Sequence, residues 1–274
     1  MKCIGFTCGD AIGFPLEFFG KEYRHQLSQN YQPFKLGSHF TDDTVMTIAR
    51  MTWLLSGELT PQRLVKEVVE FGKKYPLAGY GGNFKEWLDG KNGYQPYNSW
   101  GNGSAMSISP VGWYFDTEKD VLKYAEMSAA ITHNHPDGIK GAQSVAMCIF
   151  LARTGATKDE IKEYIEKNFD YDLNRTIADI RPGYVFHVDC QKSVPESIIA
   201  FLESNSTLEA IQLAISLGGD TDTQACIAGS IAEAFYGDCD ELFEQTIKQI
   251  DGEYPDEFVE IIKTFNKCLE ERNK

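Results

Sequence analysis

The sequence predicts an all-α protein, one compact helical domain over residues 1–274, on three observations. Apolar residues recur at helical spacing in several segments, helix-start signals punctuate the chain, and the alternating β-branched runs that announce a sheet are scarce.

The elements follow in chain order. From Thr44 to Leu55 the chain is apolar nearly all round, which predicts a buried central helix. Thr60-Pro61 pairs a capping hydroxyl with a first-turn proline, and Leu64, Val65, Val68, Val69 and Phe71 follow at helical spacing. Val121, Leu122, Ala125 and Ala129 mark another helix. Thr157-Lys158-Asp159-Glu160, Ser206-Thr207-Leu208-Glu209 and Pro255-Asp256-Glu257 read as three further starts. Cys226 to Phe235, rich in small residues, predicts a second central helix. The best strand-like stretch, Tyr184 to Val188, reads equally as loop. Glycine and asparagine collect from Leu77 to Asn83 and again from Asn98 to Ser104, which predicts a long ordered loop of the kind that carries function. No repeat, low-complexity tract or linker divides the chain.

Composition excludes some functions. The 274 residues carry a formal net charge of −14 and no basic stripe, which argues against a sequence-independent grip on nucleic acid. The same charge repels a diphosphate, so a phosphate site here needs metal ions or backbone N–H groups as compensation. Seven scattered cysteines without a C-x-x-C pair predict reduced, mostly buried thiols. Asp10 interrupts the apolar start of the chain, and no stretch approaches the roughly 18 apolar residues of a spanning helix. The expectation is a cytoplasmic protein with no membrane partner, and a monomer.

Five constellations carry chemistry. Thr41-Asp42-Asp43-Thr44 opens the first central helix; one residue would suffice as a cap, whereas two adjacent carboxylates repel unless a cation lies between them. Gly219-Asp220-Thr221-Asp222-Thr223 repeats that chemistry before the second central helix. Oxygen-only ligands select hard cations such as Mg²⁺ or Mn²⁺ over zinc, and two clusters could hold two ions. In Gly9-Asp10-Ala11-Ile12-Gly13-Phe14-Pro15-Leu16-Glu17 the glycines allow close backbone approach, and Glu17 adds a carboxylate; simple helix packing reads equally well. Asn98 to Met106 contains glycines whose exposed N–H groups could cradle phosphate, with Trp100 available to stack on a base or ribose. In Thr132-His133-Asn134-His135-Pro136 no third zinc ligand lies at finger spacing, and an imidazole hydrogen bond to phosphate or ribose is the better reading.

These five motifs, in this order from Gly9 to about Phe235, resemble the ADP-ribosylglycohydrolases related to the dinitrogenase-reductase-activating enzyme. The resemblance implies an all-α fold with a binuclear Mg²⁺ or Mn²⁺ centre in a cleft. It implies Thr41, Asp42, Asp43, Asp220, Asp222 and Thr223 as metal ligands. Glu17 matches the position that approaches the attacking water and gates the substrate, and Glu17 and Asp43 are the candidates for proton handling. Contacts to ADP-ribose are implied for Ser99, Trp100, Gly101, Asn102, Gly103, Ser104 and His133. The implied reaction is hydrolysis at the anomeric carbon of the distal ribose.

An ADP-ribosylated protein, modified on arginine, is the leading substrate. Attachment through serine, through a nucleic-acid end or in O-acetyl-ADP-ribose is the alternative, and a non-catalytic binding or structural relative is a third reading. Two carboxylate clusters alone also suit phosphoryl transfer, but no Walker loop or kinase signature accompanies them. The expected cleft rim, Phe19 to His39 and Gly79 to Tyr97, follows no family pattern. The acidic residues Glu86, Asp89 and Asp116, expected at the rim, suit a cationic leaving group or, more simply, a solvated surface.

Overall fold

A computed structural model describes residues 1–17, 33–34 and 37–272 of the chain. Most of the sequence-expected rim segment Phe19 to His39 lies outside the described residues.

Helix α1 (Gly5–Gly13) runs into a short 3₁₀ turn, and α2 (Asp42–Leu55) and α3 (Pro61–Lys74) follow. The middle of the chain forms α4 (Gly82–Leu88), α5 (Gly103–Met106), α6 (Ser109–Tyr114), α7 (Glu118–Ala130) and α8 (Pro136–Arg153). Then come α9 (Lys158–Phe169), α10 (Ile177–Ile180), α11 (Cys190–Glu203) and α12 (Thr207–Leu217). The chain closes with α13 (Thr221–Tyr236), α14 (Asp240–Gln249) and α15 (Asp256–Arg272). Among the described residues there is no strand, only isolated bridges between Ser38 and Ile250 and between Gly101 and Asp189. Tyr184 to Val188 is therefore loop. No described helix is long and apolar enough to cross a membrane.

The start signals act as capping chemistry requires. Thr60 and Ser206 accept from the backbone N–H groups of Arg63 and Glu209, and Thr157 forms a reciprocal capping box with Glu160. The glycine-rich region departs from the expectation of one long loop. Apolar Phe84, Trp87 and Leu88 fold within it as α4, which buries Trp87 against the core.

Helix α13 is the axis of the molecule: every residue from Thr221 to Ala234 is buried, with α1, α8, α11 and α12 packed around it. The α1 contact is the tightest. Gly5, Gly9 and Gly13 recur every fourth residue and so share one face. A Cβ on any of them would come within 2.4 Å of an α13 carbonyl oxygen, and at Gly9 within 2.1 Å of that of Ala225. Only glycine permits the two backbones to meet so closely. From α13, the buried Glu233 carboxylate accepts from the N–H groups of Ile4 and Gly5 at 2.9 and 2.7 Å, satisfying orphan donors at the start of α1. This packing carries the N-terminal acidic residues to the beginning of α13, where the second acidic motif lies.

Candidate active site

Two helix N-termini and the end of α1 converge. Thr41 caps α2 and accepts from Asp43 N–H, with Asp42 and Asp43 in the first turn. Leaving α12, the chain turns through Gly218 and Gly219, both at positive φ (+71° and +80°), a conformation that favours glycine, and enters α13 at Asp220 and Asp222. Thr221 Oγ1 donates to Gly13 O at 2.9 Å and fixes this turn to the end of α1.

The carboxylates form two groups that share a member. Asp10, Asp43 and Asp222 each offer an oxygen within 4.8 Å of the others, and Glu17, Asp220 and Asp222 do the same. Their electrostatics show the cost of this crowding. Burial, then the Asp222 charge, pushes Asp10 up to about 7. Half-buried Glu17 also rises to about 7, through desolvation first and then Asp222 and Asp10. Asp42, Asp43 and Asp220 are held well above the usual carboxylate range by burial and then by their acidic neighbours. Asp43 Oδ1 is buried with no hydrogen-bond partner among the described residues. An orphaned, buried oxygen among like charges is what a cation relieves, and an all-oxygen donor set suits a hard divalent ion. The residues present therefore fit such an ion, and Asp222 belongs to both carboxylate groups. Thr223 Oγ1 donates to Asp43 Oδ2 at 3.2 Å, which links the two helix starts directly.

The Asn98–Ser104 segment stands beside the acids. Its backbone is pinned to the segment before α11: Asn102 N–H donates to Val188 O at 2.8 Å, and Cys190 N–H donates to Trp100 O at 3.1 Å. Gly101 N–H is turned toward Ser99 Oγ, and Asn102 Nδ2 donates to Asp220 Oδ2 at 2.6 Å. Ser104 is buried and donates to Gly138 O at 2.7 Å, so its hydroxyl holds the loop from behind. His133 lies under the loop, with Nδ1 2.7 Å from Thr132 Oγ1; a Cβ on Gly103 would come 3.2 Å from its Nε2. Burial first, and then Arg50, pushes His133 down to about 3, so its ring is neutral at physiological pH. Trp100 is 49 % exposed, and Val185, Phe186 and Val188 add exposed apolar surface on the adjoining loop. His135 has a different duty, capping α8 by accepting from Asp137 N–H.

Comparison with known proteins fixes the family, since the profile described as ADP-ribosylglycohydrolase matches residues 3–270. The chain belongs to the ADP-ribosylglycohydrolase family. It is similar to ADP-ribosylhydrolase ARH3 of Mus musculus, with 30% identity over 260 residues, 73% of this chain and 70% of that protein. ADP-ribosylarginine hydrolase Tri1 of Pseudomonas putida (strain GB-1) is 26% identical over 262 residues, 85% of this chain and 69% of that protein. A solved structure described as an ADP-ribosylglycohydrolase-related protein complex shares the fold, with TM-score 0.71 at 19% identity over 97% of this chain and 94% of that one.

This ADP-ribosylglycohydrolase is therefore an enzyme that removes ADP-ribose by hydrolysis, and its acidic groups could hold metal ions. Of the sequence-derived ligand candidates, Asp43, Asp220 and Asp222 fall within the two carboxylate groups, with Thr41 and Thr223 bonded beside them. Asp42 belongs to neither group, and its Oδ1 lies 3.6 Å from where a Cβ on Gly79 would sit. Asp10 is the member that the sequence reading did not single out. Its signal is the Gly5, Gly9, Gly13 spacing, which marks α1 as buried and places a carboxylate inside the protein. Of the acidic residues expected at the rim, Asp116 pairs with Arg153 and Arg272, and Glu86 lies 3.6 Å from Lys91, so both have ordinary surface partners.

Proposed function

We propose that this ADP-ribosylglycohydrolase hydrolyses the N-glycosidic bond of ADP-ribosyl-arginine on protein, as one catalytic unit over residues 1–274 that uses two Mg²⁺ ions. The observation that carries the metal reading is the pair of carboxylate groups joined at Asp222. Thr41, Asp42, Asp43, Asp220, Asp222 and Thr223 would hold the ions, with Mn²⁺ able to replace Mg²⁺. When bound, such ions supply Lewis-acid polarisation and orient the distal-ribose hydroxyls. Glu17, half-buried and raised to about 7, is suited to accept a proton from the attacking water near neutral pH. Asp43 is the second carboxylate positioned for proton handling.

The Gly103 N–H and the neutral His133 ring would supply donors for the diphosphate, which answers the problem set by the chain's overall negative charge. Trp100 offers a face for a base or ribose. Surrounding carboxylates favour the positive charge that develops on the ribose as its glycosidic bond breaks. The arginine linkage is supported by the name of the Pseudomonas putida relative; the name of the ARH3 relatives specifies no linkage, and other ADP-ribose linkages, serine among them, stay as the competing reading.

Release of free ADP-ribose from matched arginine- and serine-linked substrates, with Mg²⁺ or EDTA, tests both parts. Metal-dependent release from the arginine substrate, lost in Asp222→Ala, is expected. Release from the serine substrate alone would overturn the linkage, and release unaffected by EDTA would overturn the metal centre.

A further inference from the structure

Asp10 is fully buried, and both of its oxygens are occupied. Oδ2 accepts from Thr41 N–H at 2.8 Å, Thr44 N–H at 3.1 Å and Thr44 Oγ1 at 2.6 Å, while Oδ1 accepts from Thr41 Oγ1 at 2.8 Å. Three donors crowd Oδ2, and the Thr41 hydroxyl takes one of the two lone pairs on Oδ1. Asp10 lies in the acidic group with Asp43 and Asp222, yet every donor it gathers comes from the start of α2, so its carboxylate braces Thr41 and Thr44.

The hydroxyl hydrogens define a direction. With Asp10 ionised, Thr44 spends its one hydrogen on it, and the 2.8 Å bond between Thr7 Oγ1 and Thr44 Oγ1 is then donated by Thr7. The 2.9 Å bond between Tyr254 and Thr7 must then be donated by Tyr254. Every hydrogen in this chain points toward Asp10. For Thr41 the alternative acceptor, Asp43 Oδ2, lies at 3.4 Å against 2.8 Å for Asp10 Oδ1. With its hydrogen drawn to Asp10, Thr41 Oγ1 turns its lone pairs the other way, and Asp43 Oδ2 stays free of that donor.

We propose that Asp10 is a positioning residue: by holding the Thr41 hydroxyl hydrogen, it presents the Thr41 and Asp43 oxygens as acceptors facing the acidic cleft. The inference rests on the metal reading above. Outer partners of this kind orient the atoms that ligate, and their loss typically costs 10–100-fold in metal affinity. Asparagine at position 10 keeps the size but offers one acceptor oxygen. Its amide would donate to Thr41 Oγ1 and send the Thr41 hydrogen toward Asp43.

The test is Mn²⁺ binding followed by electron paramagnetic resonance, with thermal melting in EDTA as the check on folding. Asp10→Asn should weaken Mn²⁺ binding about tenfold or more, and Thr41→Val added to it should weaken binding no further. Wild-type affinity in Asp10→Asn would overturn the proposal, and so would additive losses, which would make Asp10 an independent ligand. Should Asp10→Asn not fold, Thr41→Ser and Thr41→Val carry the test, with near wild-type binding expected for serine and a tenfold loss for valine. Equal affinities in those two would overturn it. Absence of Mn²⁺ binding in the wild-type protein is a separate result, which would remove the metal reading itself and this inference with it.

Discussion

The Asn102 side-chain amide donates to Asp220 at 2.6 Å, so the loop beside the cleft and the second acidic motif are held as one unit. Asp220 is buried among like charges, and this bond favours its ionised form. Hydrogen bonds to charged groups are worth about 1.5–3 kcal/mol. Asn102→Ala should lower kcat/KM by roughly 10–100-fold and weaken ADP-ribose binding, as read by steady-state kinetics and calorimetry. Asn102→Asp should cost more, because it sets a fourth acidic group against Glu17, Asp220 and Asp222.

Gly9→Ala should be severely destabilising. Its Cβ would sit 2.1 Å from a backbone oxygen of α13, an atom that cannot swing away as a flexible side chain would. Overpacking typically costs 1–3 kcal/mol or more, and a protein of this size loses about 2–4 °C for each kcal/mol. Calorimetry should therefore show a melting point lowered by about 5–10 °C, or no folded protein. Gly183→Ala, with open space around the added methyl group, should melt within about a degree of the wild type.

Stability should carry a pH signature from Glu233. Burial raises its carboxyl from 4.5 to about 7 despite the two backbone donors. The folded state keeps this proton up to about pH 7 whereas an unfolded glutamate releases it near 4.5, so the contribution is present at low pH and lost as pH rises through that window. Urea unfolding of wild type and Glu233→Gln between pH 4 and 8 isolates the effect. The difference between them should change by up to about 1.4 kcal/mol per pH unit inside the window and level off outside it.

Divalent ions should stabilise the protein as well as activate it. At 100 times the dissociation constant an ion bound only to the folded state adds about 2.7 kcal/mol per site, or roughly 5–10 °C here. Differential scanning fluorimetry with Mg²⁺ or EDTA reads this directly. The shift should vanish in Asp222→Ala, since that residue belongs to both carboxylate groups. An unchanged melting point in saturating Mg²⁺ would count against the ions.

Much of this arrangement was legible in the sequence, and the remainder was hidden for definable reasons. Helices α2 and α13 announced themselves because a helix apolar on all sides has no stable place except inside. Thr60, Thr157 and Ser206 announced their helices because capping is a local interaction between residues three apart. Asp10 escaped notice because its meaning is tertiary. Inside a helix it resembles any polar residue until the glycines beside it are seen to press α1 onto α13. Helix α4 was masked by Gly81, Gly82 and Asn83, which locally favour turns, while burial of Trp87 supplies what propensity does not. The Tyr184–Val188 stretch has strand-like composition, but pairing stops at the isolated bridge that Asp189 makes with Gly101, and the stretch stays irregular.

The contact between α1 and α13 also sets an order of events during synthesis. Gly9 and Ala225, whose backbones meet closely, are separated by more than two hundred residues of chain, so their meeting waits until α13 has been made. Until then Asp10 and Glu17 have no counterpart at Asp220 and Asp222, and the two acidic motifs are far apart. The growing polypeptide thus keeps the two motifs separate in water and brings them together only when the C-terminal half arrives.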